Sequence, residues 1–230
     1  MIPIGDENPK TIKPFVNYAI ILVNIVVYFY EYIVPSKVYD EIILEYGFIP
    51  LRFLKSFNFL PIFTSMFIHA DLLHLLGNML YLYIFGDNVE DALGHSGYLL
   101  FYFLSGLGAS IFHFLSNPLS PYPAIGASGA ISGVLGAYFV LYPLSRVRTL
   151  VVLGFFITFI RIPAFVYLFV WFVFQIFYAS LPEVSGVAYW AHIGGFIVGI
   201  FLVKVFPKRK KSMNFRTSLP LKQAFFKFNS

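Results

Sequence analysis

The chain lacks cysteine altogether and carries little charge, since Asp, Glu, Lys and Arg make up only 12% of its 230 residues. The absence of cysteine excludes disulfides, thiolate nucleophiles and cysteine metal ligands. The scarcity of charge excludes a disordered chain and an ordinary soluble domain, which carries about 25% charged residues. Because 59% of the residues are hydrophobic and fall in long runs, the sequence predicts an all-α polytopic membrane protein.

The apolar runs predict six transmembrane helices, because each is close to the roughly 20 residues that a span needs. The expected spans cover residues of about 15–34, 66–85, 97–115, 127–142, 163–178 and 190–206. The polar and aromatic stretch between spans one and two indicates a loop at the membrane interface. The apolar piece 149–160 would be only about 18 Å long as a helix, so we expect it on the surface.

The basic residues predict the orientation of the spans. With the N-terminal segment 1–14 and the basic tail 207–230 in the cytoplasm, thirteen of the sixteen Lys and Arg residues lie on the inner side, as the positive-inside rule requires. The net charge of +5 therefore reflects membrane orientation, and no nucleic-acid partner is expected. The short loops favour a prokaryotic plasma membrane.

Polar groups are costly in a membrane, so those inside the expected spans indicate where chemistry takes place. Ser105, His113 and Ser132 also lie inside the spans but fit packing or backbone contacts, which leaves four candidates. They are His74 and Asn78 in span two, Ser128 in span four and His192 in span six. At 1.5 Å per residue, His74, Ser128 and His192 lie about 18–22 Å above the inner boundary, hence at one depth near the outer face. A serine and a histidine at one depth predict a nucleophile and its general base.

The residues around Ser128 suit acyl transfer. Gly126 and Gly129 flank the serine and allow a tight turn and close approach. Ser128 also opens a helix, whose free N–H groups favour a developing oxyanion. His74 and Asn78 lie one turn apart on one helix face and are expected to add donors to that oxyanion.

Small residues predict that spans four and six touch. Gly195 and Gly199 follow His192 at helical spacing, and span four carries Gly129 and two further glycines. Faces of this kind let two helices approach closely, which would bring His192 within hydrogen-bonding distance of Ser128.

Other hydrolytic chemistries fit less well. The sequence has no His-Glu-x-x-His zinc motif, so no metal and no other cofactor is expected. An aspartyl dyad would need two carboxylates within the spans. The nearest candidates, Asp87, Glu90 and Asp91, are expected to be solvated charges at the inner end of span two.

Taken together, these residues resemble those of the rhomboid intramembrane serine proteases. The matching pieces are His69-Ala70-Asp71-Leu72-Leu73-His74-Leu75-Leu76-Gly77-Asn78, Gly86-x-x-x-Glu90-x-x-x-Gly94, Gly126-Ala127-Ser128-Gly129 and Ala191-His192-x-x-Gly195-x-x-x-Gly199. The resemblance covers residues 15–206 and implies a six-helix rhomboid-like bundle with a half-sunken loop after span one.

The resemblance also implies roles for individual residues. Ser128 would be the nucleophile and His192 the base, without an acid, and the oxyanion hole would consist of the Ser128 N–H, His74 and Asn78. Span five, around Trp171 and Phe172, would form a lateral gate with span two. The partners would be the lipid bilayer and single-span membrane proteins, cut near the outer end of their transmembrane segment.

Two positions depart from the family pattern. The Trp-Arg pair that the family often carries in the first loop is replaced by Leu60 and Pro61. The aromatic residue that often stacks on the catalytic histidine is replaced by Ser132, for which we hypothesise a hydrogen bond to His192.

Two alternatives use the same polar cluster. A catalytically inactive rhomboid-like protein would bind and escort membrane clients, although such proteins lack the serine or the histidine, and both are present here. A small channel or transporter is the other alternative, but the chain shows no internal repeat of the kind many transporters carry.

Overall fold

The computed structural model describes residues 1–154, 156–181 and 186–209, and most of these are helical. The first third contains strand β1 (Ile2–Asp6) and helices α1 (Phe15–Ile33), α2 (Ser36–Tyr46), α3 (Pro50–Ser56) and α4 (Leu60–Thr64). The middle contains helices α5 (Leu72–Tyr81), α6 (Asp87–Leu93), α7 (His95–Ser116) and α8 (Ser128–Leu141). The last part contains strands β2 (Arg146–Leu153) and β3 (Phe156–Pro163) and helices α9 (Ala164–Ala179) and α10 (Tyr189–Val205).

Only some of these helices are long enough to cross a membrane alone. Within the described residues, α1 and α7 are long and apolar enough, and a third candidate is the bent pair Leu60–Phe67 and Leu72–Leu93, with a bend of 96°. Helices α8, α9 and α10 are apolar but shorter. These apolar helices fit an integral membrane protein. The count of six spans is not confirmed and stays a prediction.

The helix in the second predicted span, 66–85, begins and ends later in the chain than these bounds. The helix begins at Leu72, because the Asp71 carboxylate caps it by accepting the His74 backbone N–H at 2.8 Å. Ile68, just before this cap, is extended. The helix continues through a π-helical segment, Leu82–Gly86, into α6, and ends at Gly94, whose φ of +73° suits glycine.

The prediction of an all-α protein is wrong in one respect, because the chain contains a small antiparallel sheet in the order β1-β2-β3. Strand β1 comes from the N-terminal segment. Residues 149–154 and 156–160 of the apolar piece belong to the β2–β3 hairpin, with Gly154 in a turn at a φ of +59°. This piece is rich in Val, Ile, Thr and Phe, which favour strands. Strand β3 is the exposed edge, in keeping with the expected surface position.

The segment between α1 and α5 folds into the three short helices α2, α3 and α4 rather than into an irregular loop. Phe53 of α3 forms edge contacts with Phe57, Phe59 and Phe114, at ring distances of 5.2–5.9 Å. The Leu60–Pro61 departure from the family pattern starts α4, where proline at the first turn needs no N–H partner. Its position at a membrane interface stays a prediction.

The expectation that Asp87, Glu90 and Asp91 are solvated is wrong, because all three are at most 4% exposed. The Glu90 carboxylate accepts the backbone N–H groups of Val16 at 3.0 Å and Asn17 at 2.7 Å. These N–H groups open α1 and have no acceptor within their own helix. Glu90 therefore caps α1 from another helix, and the first turns of α1 and α6 are held together.

The N-terminal segment is bound to the same end of the helices, which we call the sheet end because β1–β3 lie there. Four of its side chains form hydrogen bonds there: Asn8 with Asn88 at 2.9 Å, Thr11 with Asp91 at 2.7 Å, Lys10 with Asp87 and Asp6 with Tyr138. Arg209 also reaches Asp91, at 2.8 Å. The rest of the predicted basic tail, from residue 210 onward, lies outside the described residues.

We predict that Glu90→Ala destabilises the protein by about 3 kcal/mol or more, because it removes a charged acceptor and leaves two N–H groups of α1 without it. Thermal unfolding of the purified protein in detergent measures the change. Glu45→Ala is the matched control, since Glu45 lies on the surface and pairs with Arg52 at 3.4 Å; exposed pairs contribute about 1 kcal/mol or less. Equal stability of the two variants would contradict the capping role.

Candidate active site

The predicted serine and histidine lie in contact. Ser128 is the first residue of α8, and His192 lies in the first turn of α10. The Ser128 Oγ is 2.8 Å from the His192 Nε2, and the His192 Nδ1 is 2.8 Å from the Gln175 Oε1 of α9. Ser128 and His192 are half-buried, so the pair remains accessible from the cavity described below.

Glycines allow this contact by bringing α8 and α10 close together. A Cβ on Gly195 would collide with the carbonyl oxygen of Gly129, and a Cβ on Gly199 would collide with the backbone of Gly133. The geometry of these supporting glycines agrees with the small-residue packing that the sequence predicts. Any side chain at Gly195 or Gly199 would push the two helices apart.

Gly126 lets His74 and Asn78 approach the loop before Ser128. Its φ is +112°, and a Cβ there would lie 2.7 Å from the His74 Nε2 and 3.7 Å from the Asn78 Nδ2. Within the described residues, the buried Asn78 Nδ2 has no hydrogen-bond partner. The His74 Nδ1 accepts the Ala70 N–H at the long distance of 3.5 Å, which leaves the Nε2 side facing Gly126. Two donors are thus aimed at the turn that precedes Ser128.

These residues share a cavity of about 940 Å³. Its lining includes Ser128, His192, His74, Asn78 and Gln175. Among the described residues, no group of three His, Asp or Glu side chains could hold a metal ion. The arrangement suits nucleophilic chemistry on a substrate that enters the cavity, with the Ser128 hydroxyl in contact with the His192 ring.

The expected hydrogen bond between Ser132 and His192 is wrong. The Ser132 hydroxyl donates to the Ser128 carbonyl at 2.6 Å and not to His192, because a helical serine reaches the carbonyl one turn earlier. The aromatic neighbours of His192 are instead Trp171, at a ring distance of 6.2 Å, and Tyr189, at 6.1 Å. Phe172 stacks on Phe196 of α10 at 4.7 Å. Trp171 and Phe172 thus both pack towards α10, and their role in a gate stays a prediction.

Sequence reasoning missed Gln175, the partner of the His192 Nδ1. The signal was present, because Gln175 is a strongly polar residue in the otherwise apolar α9 and polar groups inside spans are functional by default. The sequence could not show which partner it meets, since that depends on how α9 packs against α10.

The fold and the site together define a class of protein: an apolar, mostly helical protein in which a serine contacts a histidine. A family profile described as the Rhomboid domain matches residues 56–209. This match covers more than half of the chain, and the chain belongs to the rhomboid family.

Curated relatives include proteins named as proteases. The chain is 33% identical over 125 residues to "Rhomboid protease GluP" of Bacillus subtilis. This aligned region covers 54% of this chain and 24% of that protein. It is 39% identical over 75 residues to "Putative rhomboid protease YdcA" of the same organism, covering 33% and 37% of the two chains. It is 32% identical over 117 residues to "Rhomboid-like protein 11, chloroplastic" of Arabidopsis thaliana, covering 51% and 39%. The matched region thus spans only 24–39% of these relatives' own lengths.

We predict that Gly199→Ala lowers stability by about 1–3 kcal/mol and slows labelling of Ser128 by a fluorophosphonate probe, because the added methyl group separates α8 from α10. Thermal unfolding and the labelling rate are the two measurements. Gly97→Ala in α7 is the control, because a Cβ there meets only the Leu93 side chain, at 3.4 Å, and Gly97 is not among the residues that line the cavity. If Gly199→Ala behaved like Gly97→Ala in both measurements, the close helix contact would not be what holds the pair.

Proposed function

We propose that the protein is an intramembrane serine endopeptidase that cleaves single-span membrane proteins through a Ser128–His192 pair. The observation that carries the proposal is the 2.8 Å contact between the Ser128 Oγ and the His192 Nε2 inside a cavity of about 940 Å³. Membership of the rhomboid family and relatives named as proteases support the same reaction class.

In the acylation step, the His192 Nε2 takes the proton from the Ser128 hydroxyl while the Oγ attacks the carbonyl carbon of the scissile peptide bond. The C=O electron pair moves to oxygen and gives a tetrahedral oxyanion. Collapse of this intermediate breaks the C–N bond, and the protonated His192 gives its proton to the leaving amine. The product is an ester between the Ser128 Oγ and the N-terminal part of the substrate.

The oxyanion is stabilised by three donors in this proposal. The Ser128 backbone N–H lies in the first turn of α8, where N–H groups have no intrahelical acceptor. The Asn78 Nδ2 and the His74 Nε2 face the Gly126 turn from α5, and the Asn78 donor is buried without a partner within the described residues. A buried donor that lacks a partner gains most when charge develops beside it.

Deacylation repeats the proton transfer with water. The His192 Nε2 takes a proton from a water molecule in the cavity, the resulting hydroxide attacks the ester carbon, and the Ser128 Oγ leaves with the proton from His192. Ser128 and His192 are both half-buried, so water has a route to the pair through the cavity.

The proposed reaction requires that the substrate helix unwind near the cut. A helical segment cannot present its carbonyl carbons to a nucleophile, because its backbone is enclosed by its own hydrogen bonds, so the substrate must unwind near the cut. Residues that weaken a helix are therefore favoured there. We propose entry between α5 and α9, with the N-terminal segment and the tail in the cytoplasm of a prokaryotic cell and the cut near the outer face.

We predict that Ser128→Ala and His192→Asn each abolish cleavage of a single-span substrate in reconstituted liposomes, because each removes one partner of the proton transfer. The cut fragments are detected by gel electrophoresis and mass spectrometry. Ser132→Ala is the control and keeps most of the activity, since its hydroxyl bonds only the backbone of its own helix. Cleavage that survives in Ser128→Ala would remove Ser128 as the nucleophile. Client binding without cleavage or probe labelling by the unmodified protein would favour the escort function instead.

We predict that Asn78→Ala lowers kcat about 10²–10³-fold with a much smaller change in KM, because an oxyanion donor acts in the transition state. The same direction is expected for His74→Ala. Steady-state kinetics on the reconstituted protein measures the split between kcat and KM. A change in KM alone would show that Asn78 contacts the bound substrate rather than the developing charge.

A further inference from the structure

Gln175 is the feature that neither the family pattern nor the serine–histidine pair accounts for. It lies on α9, is 8% exposed, and its side-chain amide touches two groups at once. The Nε2 is 3.2 Å from the Trp171 carbonyl oxygen, and the Oε1 is 2.8 Å from the His192 Nδ1. A buried amide with both ends engaged has only one orientation that satisfies its partners.

The Trp171 contact determines which end of the amide faces His192. A carbonyl oxygen can only accept a hydrogen bond, so it must meet the amide nitrogen, and the amide oxygen is left for His192. If the amide were reversed, two oxygens would face each other at Trp171. The orientation therefore follows from the chemistry of the partner on the same helix.

The amide orientation in turn determines the tautomer of His192. The Gln175 oxygen can only accept, so the His192 Nδ1 must carry the ring proton in order to donate to it. The Nε2 of the neutral ring is then without a proton and faces the Ser128 hydroxyl. This is the tautomer that a general base needs, whereas the opposite one would present an N–H to the serine.

Within residues 1–154, 156–181 and 186–209, the hydrogen-bond contact of the His192 Nδ1 is with Gln175. The titratable side chains whose charge would act on the His192 ring are His74 from α5 and His113 from α7. The rings of Trp171 and Tyr189 lie 6.2 Å and 6.1 Å from its ring and restrict its position. In the Ser-His-Asp triad a carboxylate holds the corresponding proton; here a neutral amide oxygen makes that contact.

We propose that Gln175 is a positioning residue whose amide oxygen holds the His192 ring and keeps its proton on Nδ1, so that Nε2 accepts the Ser128 proton. The proposal deepens the proposed function, on which it rests, and makes the working unit a serine–histidine–glutamine triad rather than a dyad. It also links α9 to the chemistry, because a shift of that helix would release the histidine.

The resting tautomer is tested directly by nitrogen NMR of the full chain in detergent, with ring-¹⁵N histidine and His192→Asn to assign the signals. We expect a protonated Nδ1 and a bare Nε2 in the unmodified protein, and loss of this preference in Gln175→Leu. A protonated Nε2 in the unmodified protein, or an unchanged tautomer in Gln175→Leu, would overturn the proposal. This measurement needs no substrate, so it decides the role of Gln175 even if Ser128→Ala shows that the proposed function is wrong.

The kinetic test uses the reconstituted protein. We predict that Gln175→Leu lowers kcat about 10–100-fold with little change in KM, because it removes an acceptor from the base and none from the substrate. Gln175→Glu restores much of the rate and moves the acid limb of the pH–rate profile to higher pH, since a carboxylate beside Nδ1 favours the protonated ring.

The control for helix disturbance is Phe177→Leu, two residues further along α9, where the side chain is exposed and full activity is expected. Thermal unfolding of each variant separates misfolding from misorientation. A stable Gln175→Leu with unchanged kcat would overturn the proposal, as would a Gln175→Glu variant no more active than Gln175→Leu with the same pH profile.

Discussion

The close contact between α8 and α10 is the constraint on which the rest of the site depends. In a membrane, lipid tails are as apolar as leucine, so helices associate through close packing and polar contacts rather than through hydrophobic burial. Glycine provides this packing: Gly195 faces the Gly129 carbonyl, and Gly199 faces the Gly133 backbone. Ser128 and His192 lie at one end of this seam, so their 2.8 Å contact follows from the backbone approach.

The remaining polar groups of the site come from the two helices that flank this seam. Helix α5 brings His74 and Asn78 to the Gly126 turn, and α9 brings Gln175 to the far side of His192. Helices α5 and α9 also touch through the hydroxyl groups of Tyr81 and Tyr167, which are 2.8 Å apart. In the proposed mechanism the closely packed helices α8 and α10 hold the nucleophile and the base. Helix α5 supplies the oxyanion donors, and α9 supplies the acceptor that orients the His192 ring.

The sheet end shows a different solution to the cost of burying polar groups. Buried charges are tolerated only when they are paired or hydrogen-bonded. Glu90 satisfies the first N–H groups of α1, and Asp91 binds Thr11 and Arg209 from the two ends of the described chain. These contacts tie the N-terminal segment, α1 and α6 together at the end where β1–β3 lie. The carboxylates serve the architecture here, because each has a partner that belongs to the fold.

The sequence by itself determined the class of protein and the residues whose side chains could take part in a reaction. Apolar runs with few charges predict membrane helices, and the rarity of polar groups inside them marks Ser128, His192, His74 and Asn78, because local composition and helical spacing carry that information. Only the tertiary structure decided which of these groups touch, that the Gln175 amide lies against the His192 Nδ1, that Ser132 bonds its own helix, and that Glu90 is a buried cap. It also decided that strand β2 pairs with β1 on one side and with β3 on the other. The physical reason is that each of these outcomes depends on contacts between segments far apart in the chain, and periodicity describes only the face of a helix and not the partner that covers it.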